Sequence, residues 1–381
     1  MDFQLSFEHS EIQRVAREFT LEQVVPRAAE IDERSCFDLH LYGQLADLGF
    51  VGMLLPESYG GSASDNLGWC LVIEELAKGS AAIANSLVTA RSIGDLIGGV
   101  GNEHHKRTYL PPLAAGKSIV SFCLTEPGSG SDAASLRTSA KLDGNHYVLN
   151  GEKTFITLGA IADVVAVAAT LDSSQRAKAI RVFLVPGDTP GLSRSKKLDL
   201  MGIRGMETCA LSFQDCRVPR ENILGEDSEG FKAFMKALEG GRLGIAAMAT
   251  GLAQAALDHA LPYAMERKQF GKPIAEMQAI ETMLADMAAD IEAARLMTYR
   301  AAWLKDQGHG DFNQAASLAK LFASEICEKH VSNAMQIFGG YGYSKEYPIE
   351  RFYRDARIHK IWDGTSQIQR IIISRYLRRG L

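Results

Sequence analysis

Tyr147-Val148-Leu149-Asn150-Gly151-Glu152-Lys153-Thr154-Phe155-Ile156-Thr157 places strand-forming residues on both sides of an Asn-Gly pair. Asn and Gly tolerate positive φ, so this dipeptide favours the two-residue turn of a β-hairpin. The run predicts two antiparallel strands reversing at Asn150-Gly151. Val164 to Ala169, Ile180 to Val185 and Ala210 to Phe213 are further short apolar runs bounded by turn residues, the pattern of strands. From Ser118 to about Arg220 the chain therefore reads as a β-domain of roughly 100 residues.

Both flanks read as helix. Ile12, Val15, Phe19 and Ile31 fall mostly on one helical face, and Leu71, Ile73 and Leu76 begin a second amphipathic run. Pro56 and Gly60-Gly61 mark turns, and Pro111-Pro112 closes this block. Beyond Gly230, Leu252 to Leu257 and Ile280 to Trp303 have the texture of packed bundle helices, rich in small and apolar residues. No repeat at a solenoid period is visible. The expected organisation is α+β and multidomain: a helical domain over 1–117, a β-domain over 118–225 and a helical domain over 226–381.

Composition narrows the function. A chain of 381 residues is too long for one ordinary core. With 41 basic and 46 acidic residues, net −5, it has no general electrostatic affinity for nucleic acid. Arg375, Arg378 and Arg379 read as a helix C-terminus. Six scattered cysteines without a CxxC pair speak against a zinc cage or a disulfide framework, and no metal site is expected. The opening residues Met1 to His9 lack the cationic and apolar regions of a targeting peptide. Leu243 to Ala256 is short and interrupted by Gln254, so it reads as a buried helix rather than a membrane span. A soluble, cytoplasmic protein is expected.

Four segments carry chemistry. Thr125-Glu126-Pro127-Gly128-Ser129-Gly130-Ser131-Asp132 is a polar, glycine-rich turn able to approach a ring or carbonyl closely, or else a plain surface loop. It matches neither the dinucleotide GxGxxG pattern nor a P-loop. Arg267-Lys268-Gln269-Phe270-Gly271-Lys272-Pro273, followed by Gln278, joins two helical runs. Its arginine suits a pyrophosphate, or a helix C-terminus. Phe338-Gly339-Gly340-Tyr341-Gly342-Tyr343 is a break permitting close backbone approach. In Trp362-Asp363-Gly364-Thr365-Ser366-Gln367-Ile368-Gln369-Arg370, spacing favours Asp363 as N-cap of a final helix with Ile368, Ile371 and Ile372 on its core face.

Taken in order, Leu124–Asp132, Asn150–Thr157, Glu266–Pro273, Gln336–Tyr343 and Asp363–Arg370 resemble the motifs of the acyl-CoA dehydrogenase family, and the resemblance runs from end to end. It implies an N-terminal helical domain, a central β-barrel-like domain and a C-terminal four-helix bundle, assembled as a homotetramer that binds FAD. It implies that Phe122, Leu124 and Thr125 touch the isoalloxazine and that Phe155 and Thr157 flank it. Arg267, Phe270 and Gln278 would reach a partner subunit's FAD, with Gln336 and Gly340 as complementary contacts and Thr365 and Gln367 near Asp363. Ser131, Glu239, Arg242 and Trp362 would hold the acyl-CoA substrate. Asp363 would be the base that removes the α-proton while the β-hydrogen leaves as hydride to the flavin. Electron-transferring flavoprotein is the implied acceptor.

One position departs from the family pattern. Most members carry glutamate where this chain has Asp363, and a second group places the glutamate just before the position of Arg242, where this chain has Gly241. Aspartate is shorter by one methylene, roughly 1.5 Å of reach, which substrate position or local backbone must make up. Aspartate here resembles alicyclic members, so the expected reaction is cyclohexanecarboxyl-CoA to cyclohex-1-ene-1-carboxyl-CoA. A short or branched linear acyl-CoA is the alternative. Flavin monooxygenases of the same fold commonly lack the carboxylate, which Asp363 retains. Arg91, within Ala81 to Ile97, is expected to face solvent; facing inward, it would suit a carboxylated acyl chain.

Overall fold

The computed structural model describes residues 4–225 and 229–379. Met1 to Phe3, part of the opening segment read above, and residues 226–228 at the expected domain junction lie outside that description, as do residues 380–381.

The first block is helical: α1 Phe7–Phe19, α2 Val25–Arg34, α3 Leu39–Asp47, α4 Asn66–Gly79, α5 Ala81–Val100 and α6 Glu103–Ala114. Polar caps set several of its boundaries. Ser6, Asp38, Asp65 and Ser80 accept from backbone N–H groups in the first turns of α1, α3, α4 and α5, satisfying donors that a helix start leaves free. Ile12, Val15 and Phe19 pack on the core as their periodicity predicts. Pro111 and Pro112 sit inside the last turns of α6 rather than beyond its end.

The middle block is an eight-stranded sheet. Its strands are β1 Val120–Cys123, β2 Ser139–Asp143, β3 His146–Ile156, β4 Val164–Thr170, β5 Ile180–Pro186, β6 Leu192–Arg194, β7 Cys209–Pro219 and β8 Ile223–Leu224. The order is β6-β7-β3-β2-β4-β5-β8, with β1 parallel to β4. Phe213 of β7 and Phe183 of β5 share one core although three strands separate them, so the sheet wraps around its interior as a barrel does. Strand β4 is buried on both faces. Val165, Val167 and Ala169 point into that interior, while Val164, Ala166 and Ala168 pack toward the helices, as the period of two requires.

The expected hairpin at Asn150-Gly151 is absent, and β3 runs straight through it. The turn comes earlier, at Gly144-Asn145 between β2 and β3, with Gly144 at φ +58°. Asn150 instead serves a bulge in β7: its Oδ1 accepts from Asp215 N at 2.8 Å and its Nδ2 donates to Asp215 Oδ1 at 3.2 Å. Gly151 lets Thr138 approach, since a Cβ there would lie 2.6 Å from Thr138 Cα. Asn-Gly chemistry is used here for a bulge and a close contact.

The last block is built on α7 Glu229–Glu266, α8 Gln278–Asp306 and α9 Phe312–Phe338, followed by α10 Ile349–Ala356 and α11 Ser366–Arg379. Lys268–Gln269 and Lys272–Pro273 form the short strands β9 and β10 between α7 and α8. Helices α7, α8, α9 and α11 make the bundle, and α7 also packs against α4 and α5. Leu243 to Ala256 lies inside α7, and among the described residues no helix is long and apolar enough to cross a membrane. On α11, Ile368 and Ile372 are half-buried, whereas Ile371 is exposed.

Two features lock the bundle to the first block, one through α7 and one through α8. A Cβ at Gly251 would lie 2.1 Å from the Glu74 carbonyl oxygen of α4. The buried Glu74 carboxylate accepts from Arg295 Nε and Tyr299 Oη of α8, each at 2.9 Å. Gly251→Ala is therefore expected to destabilise the protein by about 1–3 kcal/mol, the usual cost of overpacking. Denaturant unfolding measures it, and an unchanged midpoint would show that the helices part without cost.

Candidate active site

Asp363 lies on the short loop between the 3₁₀ turn Arg357–Lys360 and α11, with φ +49°, followed by Gly364 at φ +90°. It is not the helix cap: Thr365 Oγ1 accepts from Ile368 N at 3.2 Å and takes that role. Instead the loop carbonyls are gripped from two sides. Lys320 of α9, fully buried, donates from Nζ to Gly364 O at 2.7 Å. Gln369 Nε2 donates to Gly364 O at 2.9 Å and to Asp363 O at 3.3 Å.

The Asp363 side chain meets α7 where α7 offers no side chain. A Cβ at Gly241 would lie 2.6 Å from Asp363 Oδ2. Asp363 keeps part of its surface accessible, yet desolvation pushes its carboxyl above the ordinary aspartate value, with Lys320 and Arg242 opposing. Arg242 of α7 is buried with its Nε unpartnered. Glu239, one turn earlier, is half-buried, and burial raises its carboxyl too. Trp362 packs edge-on to His359 at 5.5 Å, and its Nε1 is buried without a partner.

Arg91 departs from its expected place. Its side chain is 2% exposed and stacks over Trp69 at 4.2 Å. It donates to Asn66 Oδ1 and pairs with Asp95 at 3.5 Å, leaving Nη1 buried and unpartnered. A Cβ at Gly240 would lie 3.2 Å from Arg91 Nε. Arg91 and Asp363 thus approach neighbouring residues of α7. The aromatic face of Trp69 and the partial neutralisation by Asp95 explain why burial is tolerated.

On the β-domain, hydrogen bonds join the segments that hold Phe122, Leu124, Thr125, Phe155 and Thr157. Thr154 N donates to Thr125 O at 2.9 Å, Lys153 Nζ to Leu124 O at 3.0 Å, and Ser121 Oγ to Thr157 O at 2.8 Å. The Phe122 ring packs against that of Phe234 of α7, centroids 3.7 Å apart and planes tilted by 32°. Phe155 is 61% exposed at φ +56°, a conformation that costs an aromatic residue energy. Beneath them lies a buried ion pair, Lys153 Nζ to Glu126 Oε1 at 2.8 Å. Glu126 also accepts from Arg137 N and Thr138 N. Burial alone would raise the Glu126 carboxyl, but Lys153 and these donors bring it below the usual range. Ser131 stays exposed on the glycine-rich loop.

The remaining candidates gather elsewhere on the bundle. Arg267 and Gly340 line a groove of about 600 Å³ with Tyr263, Gln269, Phe338 and Tyr341, and no residue of the Asp363 loop takes part. Phe270 is 96% exposed at φ +51°, at the tip of the β9–β10 turn. Gln278 opens α8, Gln336 adjoins Ile337 of the groove wall, and Gln367 is the second residue of α11; all three are exposed. Among the described residues no cluster of His, Cys, Asp or Glu could hold a metal ion.

The sequence reading missed Lys320, Gln369 and the Glu126–Lys153 pair. Lys320 had a legible signal: it interrupts a face of α9 otherwise made of Ala316, Ala319, Ala323 and Cys327. A lone lysine among small buried residues needs a specific acceptor.

Helical, β and helical domains in this order, with a desolvated carboxylate beside α7, are the organisation that the sequence resemblance implies for a flavoprotein oxidoreductase. Family models agree, matching the acyl-CoA dehydrogenase N-terminal domain over residues 6–117, the middle domain over 121–216 and the C-terminal domain over 228–377. The chain is 44% identical over 379 residues to a probable acyl-CoA dehydrogenase, YngJ, of Bacillus subtilis, covering 99% of this chain and 100% of that one. Butyryl-CoA dehydrogenase from Megasphaera elsdenii superposes with a TM-score of 0.96 at 41% identity, covering 99% of this chain and 100% of that one. A glutaryl-CoA dehydrogenase in complex with glutaryl-CoA gives 0.95 at 38%, covering 98% and 96%. The chain belongs to the acyl-CoA dehydrogenase family, FAD-dependent oxidoreductases acting on acyl-CoA thioesters.

Removing Lys153 leaves Glu126 buried without its cation. Lys153→Met is expected to cost about 3–5 kcal/mol in stability, and, because Leu124 O loses its Lys153 donor, to lower the flavin content if this loop meets the cofactor as proposed below. Denaturant titration and the flavin retained after gel filtration check both. Undiminished stability with full flavin content would mean that the pair is dispensable.

Proposed function

We propose that this enzyme desaturates an acyl-CoA thioester at its α and β carbons, with Asp363 as the base that takes the α-proton. The carrying observation is the desolvated Asp363 carboxyl, set against the bare backbone of Gly241 on a loop gripped by Lys320 and Gln369. A raised carboxyl is a stronger base toward a weak carbon acid than an ordinary aspartate is. No other carboxylate competes at Gly241, the relocated position noted above.

Phe122, Leu124, Thr125, Phe155 and Thr157 would hold the flavin ring, which when bound supplies the acceptor for the β-hydride. The fit is supported by an outward-facing Phe155 in a costly conformation. Arg242, Glu239, Ser131 and Trp362 would orient the thioester, and the buried free Nε of Arg242 suits an oxygen acceptor there. Thr365 and Gln367 flank the base loop. Arg267, Phe270, Gln278, Gln336 and Gly340 would contact the dinucleotide across a subunit boundary. The exposed Phe270 and the groove beside Arg267 support a homotetramer. Electron-transferring flavoprotein is the proposed acceptor of the electrons.

For the acyl group we favour cyclohexanecarboxyl-CoA, converted to cyclohex-1-ene-1-carboxyl-CoA. The support is the shortened base itself, which is set back by one methylene from the reach of the family's usual glutamate. Arg91 favours a second reading: its buried, unpartnered Nη1 suits an acyl chain ending in a carboxylate, as in the related glutaryl-CoA complex. A short linear chain, as in the related butyryl-CoA enzyme, is the third.

Anaerobic titration with cyclohexanecarboxyl-CoA, glutaryl-CoA and butyryl-CoA separates the three by which thioester bleaches the flavin. Preferential bleaching by the ring thioester is the expected result; bleaching by either other one transfers the assignment, and bleaching by none rejects the reaction. Asp363→Asn is expected to keep FAD and to lose flavin reduction by about three orders of magnitude. Because the base must be ionised, kcat/KM should fall as pH drops through a value above the ordinary aspartate pKa. A limb at or below the ordinary value would contradict a desolvated base.

A further inference from the structure

We propose that Lys320 is a positioning residue that sets the reach of the Asp363 carboxylate by anchoring the adjoining Gly364 carbonyl. The inference rests on Asp363 being the base. Four observations carry it. The Lys320 side chain is fully buried on a small-residue face of α9. Its bond goes to the main-chain oxygen of Gly364 at 2.7 Å, and no ion pair to a carboxylate is found for it among the described residues. Asp363 and Gly364 are consecutive left-handed residues at φ +49° and +90°, an arrangement that persists only where surroundings over-determine it. Gln369 Nε2 reaches the same oxygen at 2.9 Å and Asp363 O at 3.3 Å, so both peptide carbonyls of the turn are held.

The choice of acceptor matters chemically. A lysine bonded directly to the carboxylate would lower its basicity and block one of its oxygens. Bonded to the next carbonyl, the ammonium fixes the loop and leaves Asp363 free to receive a proton. Asp363 also has one rotatable bond fewer than glutamate with which to find its target, so its backbone must deliver the position. The charged and titratable groups around the loop are Arg242 and Glu239 from α7, Lys320 from α9, His359 from the 3₁₀ turn, and Tyr376 of α11 beyond Arg242. His359 is held neutral, its imidazole pushed down by burial to about 3. Lys320 is itself pushed down by burial to about 8, so it remains largely protonated at neutral pH.

The test uses the holoenzyme, with flavin reduction followed by rapid mixing across pH, alongside FAD stoichiometry, thermal midpoint and affinity for a non-reducible thioester analogue. Lys320→Met is expected to retain FAD and analogue binding, to reduce flavin about 100-fold more slowly, and to move the acid limb of the rate to higher pH. Gln369→Leu should slow reduction while leaving the acid limb in place, because it removes a donor without a charge. Lys320→Gln keeps a donor and loses the charge, so it should shift the limb with a smaller loss of rate. An unaltered rate and limb in Lys320→Met overturns the proposal. So does failure of both Lys320 variants to hold FAD, which is the signature of a merely structural lysine. Asp363→Asn serves as the control: wild-type reduction by that variant defeats the base assignment itself, independently of what Lys320 does.

Discussion

The active-site architecture depends on how closely α7 approaches α4 and α5. Three glycines along α7 make that approach possible. At Gly251 the Glu74 carbonyl comes within 2.1 Å of where a Cβ would stand, at Gly244 the Trp69 ring within 2.6 Å, and at Gly241 the Asp363 carboxylate within 2.6 Å. Helix packing and the position of the Asp363 carboxylate are therefore one problem. The same contact that buries Trp69 and Val88 makes the recess into which the Asp363 loop fits. The Glu74–Arg295–Tyr299 group ties α8 to α4 alongside that contact.

A second theme is the use of buried lysines against main-chain oxygens. Lys153 donates to Leu124 O beneath the β-domain loop, and Lys320 donates to Gly364 O beneath the Asp363 loop. An ammonium offers three donors and a full charge on a long stem, so one side chain can hold a loop that lacks regular hydrogen bonding. The two differ in what neutralises them. Lys153 has Glu126 at 2.8 Å, whereas Lys320 has the nearby Asp363 charge without a bond to it. That difference separates a scaffold lysine from one coupled to a titrating group.

The helical, β, helical order was legible because burial follows the period of each element. Val164 to Thr170, buried on both faces, and α7 around Leu243 to Ala256 read as what they are. Asn150-Gly151 misled because the local preferences that favour a turn also favour a bulge, and only the partner strand β7 decides between them. Asp363 read locally as a cap for the same reason: a carboxylate a few residues ahead of a helix is ambiguous until Thr365 is seen to take the bond. Arg91 was misplaced because its burial depends on Trp69, Asn66 and Asp95, none of them a sequence neighbour within one turn except Asp95. Contacts made at long separation leave little trace in a local pattern.

The tight fit between Gly241 and Asp363 also bears on how such a site can change over generations. A carboxylate on α7 at position 241 and one on the loop at position 363 would claim the same space, since even a methyl group at 241 meets Asp363 Oδ2 at 2.6 Å. Moving the carboxylate from loop to helix thus passes through a crowded site, if the helix changes first, or a site without a carboxylate, if the loop does. Neither half-step is neutral. A chain with its carboxylate on the loop is thereby favoured to keep the α7 position bare.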